Sequence, residues 1–66
     1  MSTVDAVLTE VREVGPATAA AIADSAGLSE RAVRRALVRL EEQGLVETEI
    51  YQRRARVFIA TEGEQR

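Results

Sequence analysis

The chain has 66 residues, of which 45% are hydrophobic and 30% are charged, and its formal net charge is −2. This length predicts one domain, and domains of about 60 residues bury only about 60% of the surface of the unfolded chain, so they have little stability to spare. The sequence contains neither cysteine nor histidine, which excludes disulfides, thiolate nucleophiles, imidazole bases and the usual zinc ligand sets.

The composition also argues against several classes of partner. No apolar run approaches the roughly 18 residues of a membrane span, and the first residues lack the charged and then apolar order of a signal peptide, so we expect a cytoplasmic protein with no membrane partner. Glu41 and Glu42 point about 100° apart on a helix and have no second acidic cluster beside them, so we predict no metal or other cofactor. A core this small leaves little room for a cavity that could hold a small-molecule effector, so we expect none.

An enzyme is not expected either. Without histidine or cysteine, and without a carboxylate pair in a recognisable motif, the chain lacks the usual acids, bases and nucleophiles. Tyr51 and Ser29 have no visible activating partner in the sequence. The function should therefore be one of binding.

The first predicted helix spans about Thr3 to Glu13. Ser2 or Thr3 can cap its start, and Gly15-Pro16 ends it. Its apolar residues recur at the i, i+3, i+4, i+7 spacing that places them on one helical face: Val4, Val7, Leu8, Val11 and Val14.

Two further helices follow, joined by a short turn. Thr18 is a good N-cap for a helix over AAAIADS, and Gly27 marks the turn after it. Ser29 caps the third helix, which we predict over 30–43, with Gly44 as the C′ residue that ends it.

This pair of helices has the pattern of a helix-turn-helix unit, in which two helices are joined by a short turn that contains glycine. In such a unit the second helix lies in the major groove of DNA. Apolar residues occupy the positions at which this motif locks its two helices together: Ile22, Ala23, Ala26, Leu28, Val33 and Leu37.

A β-hairpin is predicted after the third helix. One strand-like run covers 46–51 and a second covers 56–60, with a basic tip that contains Arg53 and Arg54. Because side chains alternate along a strand, an even loop would place Val57 and Ile59 on the same face as Val46, whereas an odd loop would place Phe58 and Ala60 there.

Together these segments resemble the winged helix-turn-helix proteins, in particular small bacterial and archaeal regulators that contain stretches similar to LEEQGLVE and RRARVF. The resemblance implies a mainly α fold with a small β-hairpin (α+β), formed by one three-helix winged domain over 1–60. Residues 61–66 form a short polar segment, so we expect a flexible C-terminal tail there. The resemblance also favours the register with Phe58 and Ala60 inward, which leaves Val57 and Ile59 as an exposed apolar pair on the outer face of a two-stranded sheet.

The third helix carries its arginines on one face. With Val33, Ala36, Leu37 and Leu40 on the core face, a helical repeat of about 100° per residue directs four arginines outward: Arg31, Arg34, Arg35 and Arg39. An ordinary solvated face, with Arg34 or Arg35 paired to nearby carboxylates, is the alternative interpretation.

On the recognition helix of a helix-turn-helix unit these arginines would face the groove. We assign Arg31, Arg34 and Arg35 to base edges, because residues near the helix start reach the bases, and Arg39 to a phosphate. A bidentate arginine contact to guanine contributes about 1–3 kcal/mol of discrimination.

Five further residues are candidates for contacts with DNA in addition to the four arginines of the recognition helix. Thr18 and Ser29 stand at helix starts, where backbone N–H groups and the helix dipole attract phosphate, although both can serve as simple N-caps. The resemblance implies that the wing over 46–60 contacts the minor groove or flanking phosphates through three arginines: Arg53, Arg54 and Arg56. Alternatively, these charges only keep a sheet edge soluble.

The charge balance leaves two functions open. All nine basic residues are arginine, and they are concentrated in the second half: residues 1–28 carry one arginine against four acids, 29–44 four against three, and 45–66 four against four. We expect a sequence-specific double-stranded DNA-binding protein, a transcriptional regulator that strengthens its binding as a homodimer. The alternative is a winged-helix module that binds a protein through Val38 or the Val57/Ile59 pair and does not bind DNA.

Overall fold

Three helices and a small antiparallel sheet make up the part of the chain that this computed structural model describes, residues 2–51 and 55–61. In chain order the elements are α1 (Thr3–Val14), β1 (Ala17–Thr18), α2 (Ala19–Ala26), α3 (Glu30–Glu42), β2 (Val46–Tyr51) and β3 (Ala55–Ala60). This order confirms the predicted three-helix winged fold of the α+β class.

Each helix begins at a side-chain cap. Ser2, Thr18 and Ser29 accept hydrogen bonds of 3.1 Å from the backbone N–H groups of residues three positions further on. These bonds satisfy N–H groups that have no partner within the helix, which is why small hydroxyl and carboxylate residues are favoured at this position. The caps at Thr18 and Ser29 were predicted from the sequence.

The turn between α2 and α3 comprises residues 27–29. Gly27 adopts a left-handed conformation with φ of 72°, which is unfavourable for residues that have a Cβ atom. The N–H of Leu28 then donates to the carbonyl of Ala23 at 3.0 Å, so the end of α2 is capped within the turn. The glycine turn of the predicted helix-turn-helix unit is therefore present.

The end of α3 is closed in the same way. Gly44 has φ of 76°, and the N–H of Leu45 donates to the carbonyl of Leu40 at 2.9 Å. This pattern is typical of a helix that stops at a C′ glycine, as the sequence predicts. It turns the chain directly into β2.

One apolar core joins the three helices to the sheet. α3 contributes its whole predicted core face, and α1 and α2 pack against it. The buried core residues are Val7, Val11, Ala19, Ile22, Ala23, Val33, Ala36, Leu37, Leu40, Val46 and Phe58. Val14, which was predicted on the apolar stripe, is exposed because it is the last residue of α1, just before the chain turns at Gly15.

The sheet has three strands in the order β1-β3-β2, all antiparallel. The two-residue strand β1 was not predicted, so the expectation of a two-stranded sheet was wrong. Between β2 and β3, Val46 pairs with Ala60 and Thr48 pairs with Phe58. This pairing confirms the register in which Phe58 and Ala60 face the core.

The expected exposure of the opposite face is wrong at Val57. Its side chain is only 8% exposed, and Ile59 is half-buried. The reason is the unpredicted strand: β3 is the central strand, and Val57 lies between its cross-strand partners Thr18 in β1 and Glu49 in β2. The predicted apolar pair therefore does not form an open patch.

Two further expectations concern the tail and the membrane. Thr61, the first residue of the predicted tail, donates from its N–H to the carbonyl of Leu45 at 3.0 Å and from its hydroxyl to the carbonyl of Gly44 at 2.7 Å. Residues 62–66 lie outside the described part of the chain. None of the helices within the described residues has the length and apolarity that a membrane span requires.

We predict that Ile22→Val lowers the free energy of unfolding by about 0.5–1.5 kcal/mol, because it removes a methylene group from a fully buried position. Denaturant unfolding followed by circular dichroism measures this change. Val38→Ala is the matched control, since Val38 is 54% exposed and its truncation should alter stability far less. Equal losses for the two variants would contradict the core described above.

Candidate nucleic-acid interface

The outward face of α3 carries the predicted arginines. Arg31, Arg34, Arg35 and Arg39 are all exposed, while the opposite face of the same helix is buried in the core. The packing of this apolar face against α1 and α2 therefore directs four guanidinium groups to solvent. A guanidinium group has a planar fork of N–H donors that fits phosphates and the edge of guanine.

A cleft on the wing side of α3 brings together three of the predicted site residues. It has a volume of about 320 Å³, and Thr18, Arg34 and Arg56 line it. Each comes from a different element, since Thr18 caps α2, Arg34 lies on α3 and Arg56 lies on β3. Residues that are far apart in the sequence thus form one surface.

β1 explains how this cleft is built. Thr18 pairs with Val57 across the β1–β3 ladder, next to Arg56. This pairing fixes the start of α2 against the central strand of the sheet. The side chain of Thr18 is also the N-cap of α2, so one residue connects the helix-turn-helix unit to the wing.

The other three predicted arginines of α3 line different hollows. Arg35 and Arg39 line a groove of about 200 Å³ between the start of α1 and α3. Arg31 and Arg35 share a shallow hollow with Ser29, the cap of α3. The arginine face therefore has a wing side, which holds Arg34, and an α1 side, which holds Arg35 and Arg39.

Two of the predicted wing residues, Arg53 and Arg54, lie outside the described residues. Arg56 is described and exposed, and it is the wing arginine that lines the cleft. Three residues, 52–54, separate β2 from β3, which is the odd loop length that the observed register requires.

An ion pair on α3 was not assigned to the site from the sequence. The Glu30 carboxylate accepts a hydrogen bond of 3.0 Å from Nε of Arg34 and forms an ion pair with Nη2 of the same guanidinium group. The signal was the spacing of four residues between an acid and an arginine on one helix. The pairing of Arg34 with a nearby carboxylate, predicted as the alternative to an arginine free for DNA, is therefore confirmed for this residue.

A metal-binding role finds no support in the described part of the chain. Within residues 2–51 and 55–61, acidic side chains do not gather in a group of three or more that could hold a metal ion. The chemistry of this surface is that of guanidinium donors, helix N-termini and the ion pair between Glu30 and Arg34.

Comparison with known proteins identifies the family. The model of the winged helix-turn-helix DNA-binding family matches residues 6–47, more than half of the chain. The chain belongs to this family. The match covers both helices of the helix-turn-helix unit and ends in β2. No curated protein matches the chain significantly.

Two solved structures of winged-helix proteins are similar to the chain. Lactococcus lactis ZitR, solved in complex with DNA, has 31% sequence identity and a TM-score of 0.78 over 94% of this chain and 43% of that one. NMB1585, a MarR family regulator from Neisseria meningitidis, has 29% identity and a TM-score of 0.75 over 91% of this chain and 44% of that one. The chain thus spans less than half the length of either structure.

We predict that Ser29→Ala lowers the free energy of unfolding by about 0.5–2 kcal/mol, because it removes the N-cap of α3. Ser29→Asp should retain most of the stability, since aspartate is an equally good cap and its charge suits the helix N-terminus. Thermal and denaturant unfolding of both variants measure the difference. An alanine variant as stable as the original chain would show that the cap is not needed.

Proposed function

We propose that this winged-helix domain binds double-stranded DNA sequence-specifically as the DNA-reading part of a transcriptional regulator. α3, predicted over 30–43, lies in the major groove, and the wing, predicted over 46–60, lies on the adjacent minor groove or backbone. The observation that carries the proposal is the cleft in which Thr18, Arg34 and Arg56 converge beside the arginine face of α3. Its support from relatives is the ZitR structure, which was solved with DNA.

The contacts divide by their position on the surface. Arg31, Arg34 and Arg35, in the first two turns of α3, read base edges, whereas Arg39, further along, binds a phosphate. Thr18 and Ser29 present helix N-termini to phosphates, in addition to their roles as caps. On the wing, Arg56 neutralises backbone charge together with Arg53 and Arg54.

The functional unit is a homodimer. A single domain has a net charge of −2, an acidic first helix and no lysine, so its affinity for DNA is low. A two-fold dimer places two recognition helices about 34 Å apart, which matches the half-sites of a palindromic operator. We propose that the protein acts in the cytoplasm. We expect it to have no enzymatic activity and to bind no small-molecule effector.

A second candidate function is protein recognition by the same face. Val38 on α3 is 54% exposed and Ile50 in β2 is 57% exposed, so apolar side chains lie near the arginines. Binding to DNA separates the two functions, because a protein-binding module would not respond to duplex DNA at low salt.

We predict that Arg34→Ala and Arg35→Ala each weaken binding to a preferred site by about 1–3 kcal/mol and affect random DNA less, because each removes a base contact. Preferred sites are first selected from a random-sequence duplex library, and affinities are then measured by fluorescence anisotropy. Arg12→Ala is the charge-matched control, since Arg12 is exposed at the end of α1, outside the proposed interface. Losses as large in the Arg12 variant would refute base reading by α3.

Arg56→Ala should act differently, because a phosphate contact carries no sequence information. We expect it to weaken binding to preferred and random duplexes by the same factor and to reduce the slope of log K against log salt by about 1. Affinities at several salt concentrations measure this slope. A loss confined to the preferred site would show that Arg56 reads bases instead.

A further inference from the structure

Glu30 is an acidic residue within a surface that is otherwise suited to bind an anion. It is the first residue of α3, and its side chain is 44% exposed. Among the described residues that line the wing-side cleft it is the one acid, beside Thr18, Arg34 and Arg56. A carboxylate at this position opposes the approach of phosphate, so it weakens simple backbone binding.

The same carboxylate constrains Arg34. Both Nε and Nη2 of the guanidinium group are directed at one oxygen, Oε2 of Glu30. An exposed arginine without such a partner samples many rotamers and can follow any phosphate, whereas an arginine held along one edge presents its remaining N–H donors in a defined direction. Such a direction is what a bidentate contact with guanine requires.

The two effects act together on specificity. We propose that Glu30 is a specificity-determining residue of the recognition helix, which orients Arg34 toward base edges and repels phosphate oxygens. This inference rests on the proposed DNA-binding function. Glu30 thus weakens the binding of random sequences and increases the preference of the domain for the correct site. Because a carboxylate accepts hydrogen bonds and cannot donate them, it also favours base edges with an amino group, such as that of cytosine.

Two substitutions separate the charge of Glu30 from its hydrogen bonds. Glu30→Gln removes the charge but keeps an oxygen that Arg34 can contact, whereas Glu30→Ala removes both. We expect both variants to bind random duplex DNA at least about threefold more tightly at low salt, because the repulsion between the Glu30 carboxylate and a DNA phosphate is lost. The preference for the selected site over random DNA should fall in both, and further in the alanine variant.

Glu13→Gln is the matched control, since Glu13 is exposed near the end of α1, outside the proposed interface, and the substitution changes net charge by the same amount. It should change binding to preferred and random duplexes by the same small factor. A further variant, Glu30→Gln combined with Arg34→Ala, tests the link between the two residues. In the absence of Arg34 only the repulsion of phosphate remains to be lost, so the glutamine substitution should lower site preference less than it does when Arg34 is present. Denaturant unfolding of every variant identifies the conditions in which all are folded.

The outcomes are distinct. A lower site preference in the Glu30 variants, but not in Glu13→Gln, supports the inference. Equal responses of the Glu30 and Glu13 variants would overturn it and leave the DNA-binding function intact. A wild-type chain that binds neither preferred nor random duplex at low salt would refute the DNA-binding function itself, and the inference with it.

Discussion

The packing of the apolar face of α3 against α1 and α2 is the interaction on which the rest of the structure depends. Val33, Ala36, Leu37 and Leu40 are buried there together. Because the helical repeat places these apolar residues on one face of α3, the arginines between them in the sequence lie on the opposite face and point outward. The residues that hold the fold together therefore also determine how the candidate interface is presented. Because a domain of this size has little excess stability, a loss of this packing would affect both.

The second constraint is the connection between the helix-turn-helix unit and the wing. Thr18 caps α2 through its hydroxyl and pairs with β3 through its backbone. The strand partner of Thr18 is Val57, which directly follows Arg56 in β3. Arg34 of α3 lines the same cleft as Thr18 and Arg56. The cleft is thus lined by residues of three elements, and the pairing of the two-residue strand β1 with β3 brings two of them together.

Much of this fold follows from local patterns in the sequence. The three helices have clear caps and glycine stops, and the third has a strongly amphipathic pattern, so its core face and its arginine face were predicted correctly. β1 was missed because two residues, Ala17 and Thr18, carry no periodicity, and their strand exists only through pairing with β3. That omission also produced the wrong prediction for Val57, whose burial depends on a neighbour that local patterns do not reveal. The cleft was unpredictable for the same reason, since its residues meet only in the folded chain.

The central claim is that the arginine face of α3, together with the start of α2 and Arg56, is a surface that binds double-stranded DNA. The most direct measurement is a titration of the isotope-labelled chain with a short random-sequence duplex at low salt, followed residue by residue by NMR. The account predicts that the perturbed amides cluster at 18–20, at exposed positions of 29–39 and around Arg56, and that they return toward their free positions as salt is added. Perturbations confined to α1, or none at low salt, would contradict it.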